Sequence, residues 1–156
     1  MPLITCKKRY RDIPFAHRQH NHRGHCRFIH GHNWTFTFVF GCSQRDKNGF
    51  VIDFGELDFL KAWINARFDH KLLINDSDPG LKYLLDTMSV RRPSSLQEGL
   101  GPFAEVSVVP DASCEGLALF LYSHVAAMVH ELTAGRVRLL SVDVKEDSKN
   151  SAKYTA

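Results

Sequence analysis

The nine residues from His32 to Phe40, "HNWTFTFVF", alternate without a break. His32, Trp34, Phe36, Phe38 and Phe40 fall on one side, and Asn33, Thr35, Thr37 and Val39 on the other. A period of two over so long a run is a β-strand with one buried face. Four aromatic rings in a row on that face require a cover of other apolar elements.

The rest of the chain supplies that cover. "LITCKKRY" has strand composition, and "RDKNGF" holds an Asn-Gly turn signal with "FVID" as its expected return strand. "DFGELDFLKAWINARF" carries Leu57, Leu60, Ile64 and Phe68 at helical spacing. A short helix is expected after Pro79, and "SVRRPSSLQEGLGPF" reads as a loop. "FAEVSVVP" reads as a strand. "SCEGLALFLYSHVAAMVHEL" is a second long helix, capped near Ser113 and ended by Gly135. "RVRLLSVDVKE" is the last strand, and the tail after it is polar. The expectation is a single domain over 1–156. It is α+β, with an antiparallel four-stranded sheet carrying two main helices on one face.

A formal charge of +3, with dispersed basic residues, argues against nucleic-acid binding. The one small cluster, "KKRYR" from Lys7 to Arg11, is either a solvated strand edge or a hold for an anionic substrate. No run of about 18 apolar residues offers a membrane helix, and no apolar leader is evident. Cys6, Cys26, Cys42 and Cys114 show no paired spacing, which fits free thiols in the cytoplasm.

Histidine is the outlier: there are nine, and six fall between His17 and His32. In "CRFIHGHNW", period two places His30 and His32 on one strand face, roughly 7 Å apart at Cα. Two imidazoles so placed can converge on one ion, and a chemically active zinc site needs a third protein ligand. His17, His20, His22 and His25 are the candidates. Cys26 is either a further ligand or, as a non-ligand with its pKa lowered by nearby cations, an acid or base.

These residues resemble the 6-pyruvoyl tetrahydropterin synthase family. "Cys26-Arg-Phe-Ile-His30-Gly-His32-Asn-Trp" is similar to its C-x₃-H-G-H-x-aromatic signature, in the spacing of the 6-carboxy-5,6,7,8-tetrahydropterin synthase branch of the queuosine pathway. "IPFAHR", "GFVIDFGELDFLK", "FDHKLLIN", "SCEGLA" and "VDVKEDSKNSAKY" resemble further family segments in the same order. Ser113 and Gly116 stand where the family has Thr and Asn, and Asp147 where it has Thr.

The resemblance implies a tunnelling fold whose subunits close their sheets into a β-barrel, as trimers or paired trimers with active sites between subunits. It implies a Zn²⁺ ion held by His17, His30 and His32, and a small-molecule pterin substrate. Cys26 would be a general base, with Asp69 and His70 as a second proton-handling pair. Glu146 would read the pterin edge, with Glu115 and Ser113 bordering the pocket. The implied reaction turns 7,8-dihydroneopterin triphosphate into 6-carboxy-5,6,7,8-tetrahydropterin with release of acetaldehyde and triphosphate. The alternatives are triphosphate elimination to the pyruvoyl product, cleavage of the dihydroneopterin side chain, or a non-catalytic pterin- or zinc-binding role.

Overall fold

The computed structural model of the chain describes residues 2–88 and 102–156. Most of the loop expected between Ser89 and Phe103 lies outside the described residues.

Strand β1 (Ile4–His17) and strand β2 (His30–Cys42) form a long antiparallel pair, with Tyr10 opposite Phe36, Phe15 opposite His32 and His17 opposite His30. A 3₁₀ turn (Phe54–Leu57), capped by the Asp53 side chain, leads into helix α1 (Asp58–Phe68). Strand β3 (Lys71–Asn75), helix α2 (Leu81–Thr87) and strand β4 (Glu105–Val109) follow. Helix α3 (Cys114–Leu132) precedes strands β5 (Arg138–Lys145) and β6 (Ser151–Thr155). The sheet order is β4-β3-β1-β2-β5-β6.

The alternating run folds as its pattern dictates. Trp34, Phe36, Phe38 and Phe40 are fully buried. Leu60, Ile64 and Phe68 of α1 and Leu117, Leu121, Val125 and Val129 of α3 join them in one core. Both long helices therefore cover the same face. The expected α+β class holds.

Three sequence expectations are corrected. Among the described residues the sheet has six strands, not four, and it is mixed: β3 runs parallel to both β1 and β4. β3 was hidden because "KLLIN" is buried on both faces. Leu73 enters the main core, while Leu72 and Ile74 pack with Leu84 of α2 on the other side. Such a strand shows no alternation. β6 was hidden for the opposite reason, since an edge strand in a polar tail buries little. Lastly, "FVID" forms no strand. The Asn-Gly turn does form, with Gly49 at φ +86° and the Asp46 carboxylate accepting from Asn48 and Phe50 N–H. Both edges of β2 are already taken by β1 and β5, so Val51 and Ile52 turn into the core instead.

β1 contains a bulge. Between Tyr10 and Ile13 it advances three residues while β2 advances two, with Asp12 at φ +57°. One extra residue reverses the facing of everything after it. Before the bulge Tyr10 points inward. After it Ile13, Phe15 and His17 do.

Candidate metal centre

His17 and His30 are cross-strand partners, and His32 lies two residues further along β2 on the same face. Their rings are steeply inclined to one another, with centroids 4.6 Å apart for His17–His30, 5.4 Å for His17–His32 and 5.1 Å for His30–His32. One ligand atom from each lies within 4.8 Å of the other two. Trp34 forms the floor, edge-on to both His17 and His32. Its indole N–H donates to Phe15 O, and its ring stacks on Phe15 at 4.5 Å.

The hydrogen bonds decide which nitrogens face the centre. His17 Nδ1 bonds the Ala112 carbonyl at 2.7 Å, and His30 Nδ1 bonds the Phe28 carbonyl at 2.7 Å. A carbonyl accepts only, so each Nδ1 carries the proton and each Nε2 presents a lone pair. Those two Nε2 atoms lie 3.1 Å apart. Two lone pairs at that separation repel unless a cation lies between them. His32 Nε2 is buried and has no hydrogen-bond partner among the described residues. Three inward nitrogens, two with tautomers fixed by outer carbonyls, fit a divalent metal of the imidazole-loving kind. Burial pushes His17 down to about 4, aided by the neighbouring imidazoles and opposed by its bond to Ala112, so its ring is neutral at pH 7.

The other histidines of the segment stand apart from this group. His20 Nδ1 lies 3.8 Å from Asp78, His22 accepts from Gly24 N–H, and His25 is exposed. Cys26 sits in an exposed 3₁₀ turn (His25–Arg27), with its carbonyl held by Gln19 N–H at 2.7 Å.

Asp69 and His70 form a 2.7 Å pair just after α1. His70 has φ +56°, and its N–H donates to Pro14 O. Its ring is 81% exposed, and it borders a cavity of about 540 Å³ together with Gly31, His32 and Asn33. Glu146, half-buried just beyond β5, lines a second cavity of about 760 Å³ with His32, Thr35, Arg9 and Arg11. Cys26 lines neither. His32 thus belongs to both cavities, His70 to one of them, and the thiol to neither. Ser113 caps α3 by accepting from Gly116 N–H, and Glu115 is exposed in the first turn. Cys114 is pushed up to about 12, first by burial and then by the nearby Glu146 charge, which leaves it a protonated thiol. The Ala112 and Phe28 carbonyls were invisible to sequence reading, because a main-chain acceptor has no residue signature.

The His-rich loop is pinned where it leaves β1. Arg18 binds Asp78 through two hydrogen bonds of 2.6 and 2.7 Å, and the Asp78 side chain is fully buried. The Arg18 guanidinium, with help from Gly80 N–H, holds the Asp78 carboxyl below its usual range against the opposing effect of burial. Its folded pKa lies below its unfolded one. The contribution to stability is therefore full above about pH 4 and fades as the pH falls through the lowered value. Asp78→Asn is expected to cost about 2–4 kcal/mol at pH 7, with the gap from the parent narrowing below about pH 4. Urea unfolding at pH 7 and pH 3 checks both.

An α+β domain that gathers three imidazoles on paired strands defines a class: a fold with a group that could hold a metal ion and open cavities beside it. Comparison with known proteins narrows it. The profile of the family 6-pyruvoyl tetrahydropterin synthase matches residues 5–156, and the chain belongs to that family. The 6-carboxy-5,6,7,8-tetrahydropterin synthases of Rickettsia typhi and Rickettsia conorii are 39% and 36% identical to it over 77 residues. Each match covers 49% of this chain and 55% of the relative, so the chain matches about half the length of these curated relatives. Among solved structures, an uncharacterized protein from Wolinella succinogenes superposes with a TM-score of 0.81 at 20% identity, over 99% of both chains. The 6-pyruvoyl tetrahydropterin synthase of Caenorhabditis elegans gives 0.63 at 18% identity, over 100% of this chain and 97% of its own. The fold is the one these synthases share.

Proposed function

We propose that the chain is a zinc-dependent lyase. It converts 7,8-dihydroneopterin triphosphate and water to 6-carboxy-5,6,7,8-tetrahydropterin, acetaldehyde and triphosphate, in 7-deazapurine and queuosine synthesis. The observation that carries the zinc reading is the convergence of three imidazole nitrogens, two of them at 3.1 Å. The names of the curated relatives support the product.

His17, His30 and His32 would hold the ion. Bound there, zinc supplies Lewis-acid stabilisation of negative charge on side-chain oxygens of the substrate. Cys26 acts as general base on the substrate side chain, on a turn whose exposure suits a thiol that must reach a ligand. Asp69 accepts from His70 Nδ1, which fixes the His70 tautomer and leaves its Nε2 free to take or give a proton. Glu146 accepts hydrogen bonds from the pterin 2-amino and N3–H edge, in the cavity it shares with His32. Glu115 and Ser113 do not line that cavity in one chain, and would border the pterin only in the assembled site. Cys26 and His70 share neither of the two cavities beside the centre in one chain, and assembly of subunits would let them serve one substrate. We place the chain in a trimer or a dimer of trimers, joining the outermost strands of the described sheet, β4 and β6, to those of neighbouring subunits to close a barrel. The expected compartment is the cytoplasm. Among the described residues, no helix is long and apolar enough to cross a membrane.

Incubation of the zinc-loaded protein with 7,8-dihydroneopterin triphosphate, followed by mass analysis, tests the reading. Acetaldehyde with a carboxypterin is the expected outcome. The second reading, triphosphate elimination to the pyruvoyl product, is favoured by the names of the solved neighbours from Caenorhabditis elegans and Plasmodium vivax. It predicts a pyruvoyl pterin without acetaldehyde. Zinc and pterin binding without turnover of this substrate would leave only a binding role.

A further inference from the structure

The turn that carries the Ala112 carbonyl, which fixes the His17 tautomer, is itself held by a small, partly buried network. Ala112 N–H donates to Asn75 Oδ1 at 2.7 Å. Asn75 Nδ2 donates to Gln19 Oε1 at 3.1 Å, and Gln19 Nε2 donates to Asp111 Oδ1 at 2.9 Å. Asp111 Oδ1 also accepts from Ser113 N–H at 2.8 Å. Two amide side chains thus grip the 111–113 turn from both ends. Asn75 is 7% exposed and Ala112 fully buried, so water does not substitute for either. The same Gln19 holds Cys26 O through its main chain.

Gly116 is part of this arrangement. A Cβ there would lie 2.4 Å from Asp111 Cγ and 2.5 Å from Asp111 Cβ. The missing side chain gives Asp111 its place against the first turn of α3. In most helix interiors Gly→Ala is favourable. Here the methyl has to displace a carboxylate that anchors the turn.

We propose that Asn75 and Gln19 are positioning residues for the metal centre. By clamping the Asp111–Ser113 turn they aim the Ala112 carbonyl at His17 Nδ1, and so keep His17 Nε2 turned toward His30 and His32. The proposal rests on the metal reading for its purpose but not for its test. A ligating histidine depends on the partner of its other nitrogen, and loss of such a partner costs 10–100-fold in affinity.

Two readouts decide it. Imidazole ¹⁵N shifts of the metal-free protein report the His17 tautomer. Competition with a zinc chelator reports affinity for zinc alone. Asn75→Ala is expected to bring out the Nε2–H tautomer of His17 and to weaken zinc binding about 10–100-fold. Gln19→Ala and Gly116→Ala are expected to move both readouts in the same direction, by about tenfold in affinity. They decide the matter if Asn75→Ala does not fold. Thr133→Ala removes a comparable pair of hydrogen bonds at the far end of α3, to Val129 O and from Val137 N. It should lower Tm and leave both readouts unmoved. Folded variants that keep the Nδ1–H tautomer and the parent affinity overturn the proposal, whatever their Tm. A parent that takes up no zinc overturns the metal reading, while the tautomer still judges the clamp.

Discussion

Cys26→Ala should fold and take up zinc as the parent does, while its turnover falls by about 10²–10⁴-fold, the usual worth of a positioned general base. Its side chain is exposed and belongs to no buried cluster, so truncation leaves no cavity. It lies outside the three-imidazole group, so the metal keeps its ligands. Parallel measurement of kcat, zinc content and Tm separates the three effects. Full turnover in the variant would remove the thiol from the chemistry and leave the Asp69–His70 pair as the sole proton-handling group of the proposal. A loss of zinc in step with activity would instead make the thiol a ligand.

Insertion of one alanine after Ile13 is expected to abolish zinc binding with every histidine still present. The extra residue shifts the end of β1 by one against β2, and Ala16 would then occupy the inward position of His17. His30 and His32 alone would remain, too few for a stable site. The strand itself is weakened as well, since Phe15 would leave its stack on Trp34. The expected Tm is lower, by several degrees for each kcal/mol lost. Comparison with His17→Ala, which removes the ligand and keeps the register, isolates the effect of register. Equal zinc loss with a much larger drop in Tm for the insertion is the expected pattern. Retention of tight zinc binding by the insertion would show that β1 can recover its register by another route.

The outcome also shows which features were legible in the sequence. β2 was legible because alternation and burial coincide from Trp34 to Phe40. The convergence of His30 and His32 followed from the same period. The place of His17 beside them did not follow from its spacing, because the bulge between Tyr10 and Ile13 breaks the count. The family resemblance supplied it. β3 and the clamp lay beyond pattern reading for related reasons. "KLLIN" is apolar on both faces, and Asn75 meets Gln19 across 56 residues and Ala112 across 37. Contacts of that reach are decided by the assembled sheet. The false strand at "FVID" has the same origin. Its turn chemistry was read correctly, but a turn does not reveal that the neighbouring strand has no free edge.

The pairing of His17 with His30 has a bearing on how such a chain can change over time. The two ligands close the long loop between them as a cross-strand pair, so the metal geometry is written in the strands. Phe28 belongs to that frame through its carbonyl on His30 Nδ1, but residues 21–27, the thiol among them, hang outside it. Mutations there can lengthen, shorten or re-equip the loop without disturbing the ion's seat. A lineage could therefore exchange one loop side chain for another, or relocate it, while the three-imidazole centre is inherited unaltered. Diversification of chemistry on a constant metal platform is what this layout makes easy.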